Sequence, residues 1–230
     1  MGYLIITFRN LLWMLLSLTG VLAIIAAVIS PNWNIAYDGY NTKQVNNSIG
    51  RKNPTIGLYS RCSRQTLSRN VTRWSCRRYI QSLDDLPSDF WKASLVFMVI
   101  GATIASISVI MAITAFCVQK IGKKSLISVV GVIQAFAGLF LMVGVVLWPA
   151  GWGNENELFK KYCYKIADDE NKPYAFRLGD CTFGWAFYSA IGGTLMIFAC
   201  AIFSVYAERS TSSDKVQDEI WKGKKVICLP

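Results

Sequence analysis

No histidine occurs among the 230 residues, and that absence removes the commonest general base, the usual metal ligand and the side chain that titrates near neutral pH. Charge is missing too, but only locally. None of the 24 Lys+Arg or 14 Asp+Glu residues falls within 11–29, 93–118, 125–147 or 182–207. Ionisable residues inside such stretches would mark an ion path or proton relay, so their lack argues against a pore or transporter within one chain. An enzyme is not expected, with neither a histidine nor a buried acid pair to carry chemistry, and no sequence feature implies a cofactor. The 53% apolar content excludes disorder.

What is present is a partition that a soluble core does not need and a bilayer requires. A helix rises about 1.5 Å per residue and the hydrocarbon layer is about 30 Å thick, so roughly 20 uncharged residues suffice to cross it. All four stretches qualify. The first is read as a retained span, because its apolar run exceeds the roughly 7 to 15 residues of a signal-peptide core. One tetraspan domain over 1–230 follows, with large loops at 31–92 and 148–181, a short loop at 119–124 and a tail at 208–230.

Lys/Arg counts do not orient the chain cleanly, since the short loop holds Lys120, Lys123 and Lys124 while the first loop holds ten basic residues. Other features do. Two glycosylation sequons, at Asn46 and Asn70, lie in the first large loop, which places that loop in the lumen or outside the cell and both termini in the cytosol, with the plasma membrane as destination. Cysteines agree: Cys62 and Cys76 share one large loop, Cys163 and Cys181 the other. Four cysteines permit three pairings, the simplest joining Cys62 to Cys76 and Cys163 to Cys181. Trp33, Trp91, Trp148, Trp152 and Trp185 flank the outer span ends, where amphipathic indoles settle at the headgroups. Pro31 and Pro149 are expected to end spans one and three, and Ser88 to cap a helix leading into span two. Gln134 is the most polar residue inside a span and is expected to make an interhelical hydrogen bond, while Gly101/Ala105, Gly131/Ala135 and Ser189/Gly193 are spaced for close helix approach.

Loop one runs Trp33, then Gly57-Leu58-Tyr59, then Cys62 and Cys76. That order resembles the claudin-superfamily signature. The segments Leu147-Trp148-Pro149-Ala150-Gly151-Trp152 and Gly179-Asp180-Cys181-Thr182-Phe183-Gly184-Trp185 resemble the LHFP-like (lipoma-fusion-partner-like) tetraspan family nearly end to end, and the tail Ser210 to Leu229 is most similar to its second subfamily. The resemblance implies an all-α membrane four-helix bundle carrying a small extracellular β-sheet fed by both large loops, with Trp33, Gly57, Leu58 and Tyr59 in a structural role. Residues Thr55–Ser60 and Val71–Ile80 read as its strands, being rich in β-branched and aromatic residues. The resemblance also implies an auxiliary subunit that assembles or traffics channels, receptors or other membrane partners. A claudin-like cell-contact or paracellular-barrier protein is the rival. Residues 154–180 depart from the family by being long and polar.

Between Asp38 and Asp84 the loop has no acid but holds Arg61, Arg64, Arg69, Arg73, Arg77 and Arg78 beside Lys43, Arg51 and Lys52. The guanidinium fork suits carboxylate and sulfate oxygens, so these arginines are candidates for an acidic extracellular ligand; a solvated face is the alternative. Nucleic acid is not an expected partner, since most of this charge lies outside the cell. In the tail, Ser213 to Gly223 reads as a short helix at the membrane surface, and Cys117 and Cys228 as possible palmitoylation sites.

Overall fold

The computed structural model describes residues 4–36, 53–67, 71–78, 86–116, 120–121, 124–153, 156–164, 174–211, 213–223 and 226–229. Asn46, Arg69, Asn70 and Cys117 lie outside them. In chain order the elements are β1 (Leu4–Thr7), α1 (Phe8–Ile29), β2 (Asn34–Ile35), β3 (Thr55–Ile56), β4 (Ser60–Leu67), β5 (Val71–Arg78) and α2 (Asp89–Thr114). Then come β6 (Lys120–Ile121), β7 (Lys124–Ser125), α3 (Leu126–Ala150), α4 (Glu157–Cys163), β8 (Thr182–Phe183), α5 (Trp185–Thr211), α6 (Asp214–Trp221) and β9 (Val226–Leu229).

Helices α1, α2, α3 and α5 are each long and apolar enough to cross a membrane, and each covers one uncharged stretch. Their ends differ from those stretches because caps, not charge, stop a helix. Ahead of α2, the Ser88 hydroxyl accepts the Trp91 N–H at 3.3 Å and its carbonyl accepts Trp91 and Lys92, so the helix begins at Asp89. Pro149 does not end α3 but sits in its last turn, which tightens to i→i+3 bonds from Gly151 to Trp148 and from Trp152 to Pro149.

Large apolar side chains face outward from these helices in numbers a soluble bundle would not show, and small or polar ones are buried. Leu12, Leu22, Ile110, Phe136, Leu195 and Ile202 are exposed, while Ala27, Ser94, Ala105, Ser108, Gln134 and Ala190 are buried. Water would drive the large side chains inward; lipid removes that drive and leaves close packing and polar contacts to hold helices together. This is a multi-pass membrane protein.

The described residues group into two compact units. The first comprises Met1–Ile25, Val99–Met142 and Ile191–Pro230. Here a Cβ on Gly101 would meet Leu141 at 2.8 Å, one on Gly138 would meet Phe198 at 3.0 Å, and one on Gly193 would meet Ile24 at 2.8 Å, so each glycine marks a helix crossing. Gln134 Nε2 donates to Ser17 Oγ at 2.8 Å, Ser17 donates to the Trp13 carbonyl, and Trp13 Nε1 donates to the Cys200 carbonyl. The partner of Gln134 is thus on α1, whereas Thr103, Ser106 and Ser108 of α2 donate to their own helix's carbonyls. Strands β1 and β9 pair in parallel, Leu4 with Val226 through Thr7 with Leu229. Val216 of α6 is buried with Ile5 and Ile227, while Trp221 at the end of the same helix is 88% exposed. Gly223 follows that helix at φ +76°, a conformation glycine adopts without strain.

The second unit comprises Ala26–Met98 and Val143–Ala190. Its sheet has the order β5-β4-β3-β2-β8, every pairing antiparallel, and so draws strands from both large loops. Four long apolar helices, this small sheet and two disulfides match the claudin-like fold expected from the sequence.

Candidate functional site

The second unit is built around indoles. Trp33, Trp91 and Trp148 are fully buried, with ring centroids 5.3 Å apart for Trp33–Trp148 and 4.1 Å for the edge-on Trp91–Trp148 pair. A buried indole N–H needs an acceptor, and each finds one at a different point of the fold. Trp33 donates to the Ala27 carbonyl at 2.7 Å, Trp91 to the Leu58 carbonyl at 3.1 Å, and Trp148 to Asn34 Oδ1 at 2.9 Å. Trp152, also buried, stacks on Phe159 at 5.0 Å. The headgroup belt expected of these four tryptophans is therefore not what the chain makes of them: acceptors inside the fold hold Trp33, Trp91 and Trp148 in a core, and ring stacking holds Trp152, whose indole N–H meets no acceptor among the described residues. Trp185 alone of the five is exposed, at 52%.

The Trp33, Gly57-Leu58-Tyr59 signature has a geometric reason. A Cβ at Gly57 would stand 2.6 Å from both the Pro31 Cα and the Ser30 carbonyl oxygen, which are backbone atoms and cannot swing aside. Gly57 N–H donates to the Ser60 carbonyl at 2.9 Å, closing the turn between β3 and β4. Leu58 is buried, and Tyr59 donates its hydroxyl to the Ile29 carbonyl at 3.2 Å.

Cys62 and Cys76 face each other across β4 and β5 and are bonded, as are Cys163 and Cys181. Around the second bond, Asp180 N–H donates to the Cys163 carbonyl at 2.7 Å and Tyr164 donates its hydroxyl to the Arg177 carbonyl at 2.9 Å. Burial pushes the Tyr164 phenol above its ordinary pKa. Asn156 caps α4 by accepting the Phe159 N–H while donating to the Gly151 carbonyl.

The hairpin does not gather its arginines into one patch. Arg61 stands opposite Arg77, and Arg73 opposite Gln65, so alternation puts Arg61, Arg73 and Arg77 on one face and Arg78 on the other. The Arg64 backbone pairs with Trp74, which is the register of the second face. Two arginines directly opposed repel, and Arg61 diverts to the other loop: its Nη1 donates to the Tyr162 hydroxyl at 3.3 Å and its guanidinium lies 5.7 Å from that ring. Arg78 lies 6.0 Å over Tyr59. Arg73 and Arg77 are exposed, with no ion pair to a described carboxylate. Among the described residues no group of three or more Cys, Asp or Glu is placed to hold a metal.

The family described as lipoma HMGIC fusion partner-like protein matches residues 9–207. The chain belongs to that family. Within the lipoma HMGIC fusion partner-like proteins it is 40% identical to human LHFPL tetraspan subfamily member 2 protein over 235 residues, and 39% identical to member 2a of Danio rerio over 234, with the full length of each chain covered. Member 4 of Mus musculus is 23% identical over 94% of this chain and 78% of that one. Beyond the signature, this family member relies on Trp91, Trp148, Asn34 and Asn156 as positioning residues. Composition and spacing did not single out either asparagine; for Asn156 the signal was a polar residue directly before the short Glu157–Cys163 helix.

Two outcomes follow for purified protein in detergent. Gly57→Ala should lower stability by about 1 to 3 kcal/mol through overpacking against backbone, whereas Gly192→Ala, whose Cβ meets nothing within 4 Å, should not; thermal melting followed by size-exclusion fluorescence distinguishes them. Trp148→Phe should cost about 1 to 3 kcal/mol by leaving buried Asn34 without its donor, since the Asn34 amide nitrogen already lacks a partner among the described residues. Exposed Trp185→Phe should melt close to wild type.

Proposed function

We propose that this chain is a non-enzymatic auxiliary subunit that helps assemble or traffic another integral membrane protein, a channel, receptor or adhesion protein. The observation that carries the reading is the pair of exposed arginines, Arg73 and Arg77, on a hairpin stapled by Cys62–Cys76, with no described carboxylate neutralising them. A rigid strand presenting guanidinium groups is suited to carboxylates of a partner's ectodomain or to another acidic extracellular ligand. The exposed aliphatic faces of α1 and α5 supply lateral contact in lipid. In this reading the large loops are extracellular at the plasma membrane, Asn46 and Asn70 carry glycans, and both termini are cytosolic.

The rival, a claudin-like contact or barrier protein, is favoured by one feature: β5, eight residues long, is an edge strand among the described residues, suited to pairing with a neighbouring molecule.

Two experiments bear on this. In cells, Asn46→Gln and Asn70→Gln should each remove one glycosidase-sensitive step in mobility; a wild-type chain insensitive to the glycosidase at the cell surface would contradict the orientation. Proximity labelling from the extracellular loop should recover a recurring membrane partner, and Arg73→Glu with Arg77→Glu should cut that recovery about tenfold at equal surface abundance. Undiminished labelling, or strands of protein concentrating at cell contacts when the chain is expressed alone, would favour the rival.

A further inference from the structure

Within the first unit, α1 and α5 approach closely around Gly20 and Gly193, where added Cβ atoms would lie 3.3 Å from Ile197 and 2.8 Å from Ile24. Toward Arg9 and Ala207 the helices are held by a larger spacer. The Trp13 indole is buried there, donating to the Cys200 carbonyl at 2.9 Å. Beyond it the Thr7 and Ser210 hydroxyls meet at 2.8 Å. Between these contacts lies a groove of about 460 Å³. Leu12, Leu16, Phe203 and Tyr206 line it over Trp13, with Arg9 among its lining residues.

We propose that this groove binds one anionic phospholipid of the surrounding bilayer, an acyl chain lying along the apolar wall and the phosphate resting on the Arg9 guanidinium. Depth supports the headgroup end. Arg9 stands just before the uncharged stretch that begins at Leu11, and Glu208 and Arg209 directly follow the one that ends at Ala207, so both helices leave the hydrocarbon at the level of Arg9. Phosphates occupy that level. Arg9 is exposed and forms no ion pair with a described carboxylate, which leaves its donor fork available for phosphate oxygens. Tyr206, exposed at the same end, has the amphipathic ring that suits the interface. The rest of the lining is hydrocarbon, and Leu12 and Phe203 are open to the lipid side. The volume is within the roughly 300 to 1,000 Å³ typical of small-molecule sites. The site belongs to whichever leaflet receives the N-terminal end of α1, and it does not depend on the identity of any protein partner.

The full chain, purified in mild detergent from bilayers of mixed phosphatidylserine and phosphatidylcholine, should retain one phospholipid in native mass spectrometry, with about fivefold preference for phosphatidylserine. Arg9→Gln should erase the preference while lipid is still retained, and Leu12→Trp, which fills the groove, should lower retention of both lipids about tenfold. Arg9 is on an exposed helix end, so its variant keeps the test decisive even if Leu12→Trp misfolds. Equal retention and equal selectivity in wild type and Arg9→Gln would mean that only annular lipid is bound, overturning the site. So would a photo-crosslinker at position 12 that captures a protein helix instead of photoactivatable phosphatidylserine.

Discussion

Hydrocarbon offers a polar group no partner, and it gives two apolar helices no reason to prefer each other over lipid. Both halves of that constraint are visible in this chain. Backbone groups along four stretches are satisfied inside helices. Polar side chains within them bond back to their own helix, as Ser106 does to Ala102, or bridge two helices, as Gln134 Nε2 does to Ser17, while Gln134 Oε1 meets no partner among the described residues. With no hydrophobic drive between helices, small residues set the contacts, which is why Gly101, Gly138 and Gly193 sit at crossings, against Leu141, Phe198 and Ile24, while many other large aliphatic side chains face outward.

The same requirement organises the second unit. Three indoles bury large apolar area, and each carries one N–H that must be met. Because the acceptors are Ala27 at the end of α1, Leu58 in the turn before β4, and Asn34 in β2, meeting them ties sheet to helix at three separate points. Aromatic pairs of this kind add about 0.5 to 1.5 kcal/mol each beyond burial, and each hydrogen bond about 1 kcal/mol. The Cys62–Cys76 bond then restrains the hairpin beyond that anchor.

Family membership adds a consistent background without supplying a partner. Full-length similarity to the human and Danio rerio member 2 proteins covers spans, loops and tail alike. The family match itself runs over residues 9–207 and includes the stretch that forms α4, while β1 and β9 lie outside it and are covered by the full-length similarity to the member 2 proteins.

Number and rough placement of the four spans were legible in the sequence, because solvent acts on composition: a segment in lipid excludes charge whatever its neighbours do. Cysteine placement was legible for a similar local reason, whereas Thr55–Ser60, read as one strand, is broken at Gly57-Leu58-Tyr59 by the turn between β3 and β4, which the hydrogen bond from Gly57 to Ser60 closes. Helix ends were less legible, since Ser88 and Pro149 act through hydrogen-bond geometry that charge does not report. Long-range partners were not legible at all. Whether an interfacial tryptophan faces lipid or a buried carbonyl, whether Arg61 joins Arg77 or turns to Tyr162, and whether Val216 meets a bilayer or Ile227 all depend on residues distant in sequence brought within a few ångströms. Tertiary structure alone decides those, because a side chain's environment is made by whatever the fold places beside it.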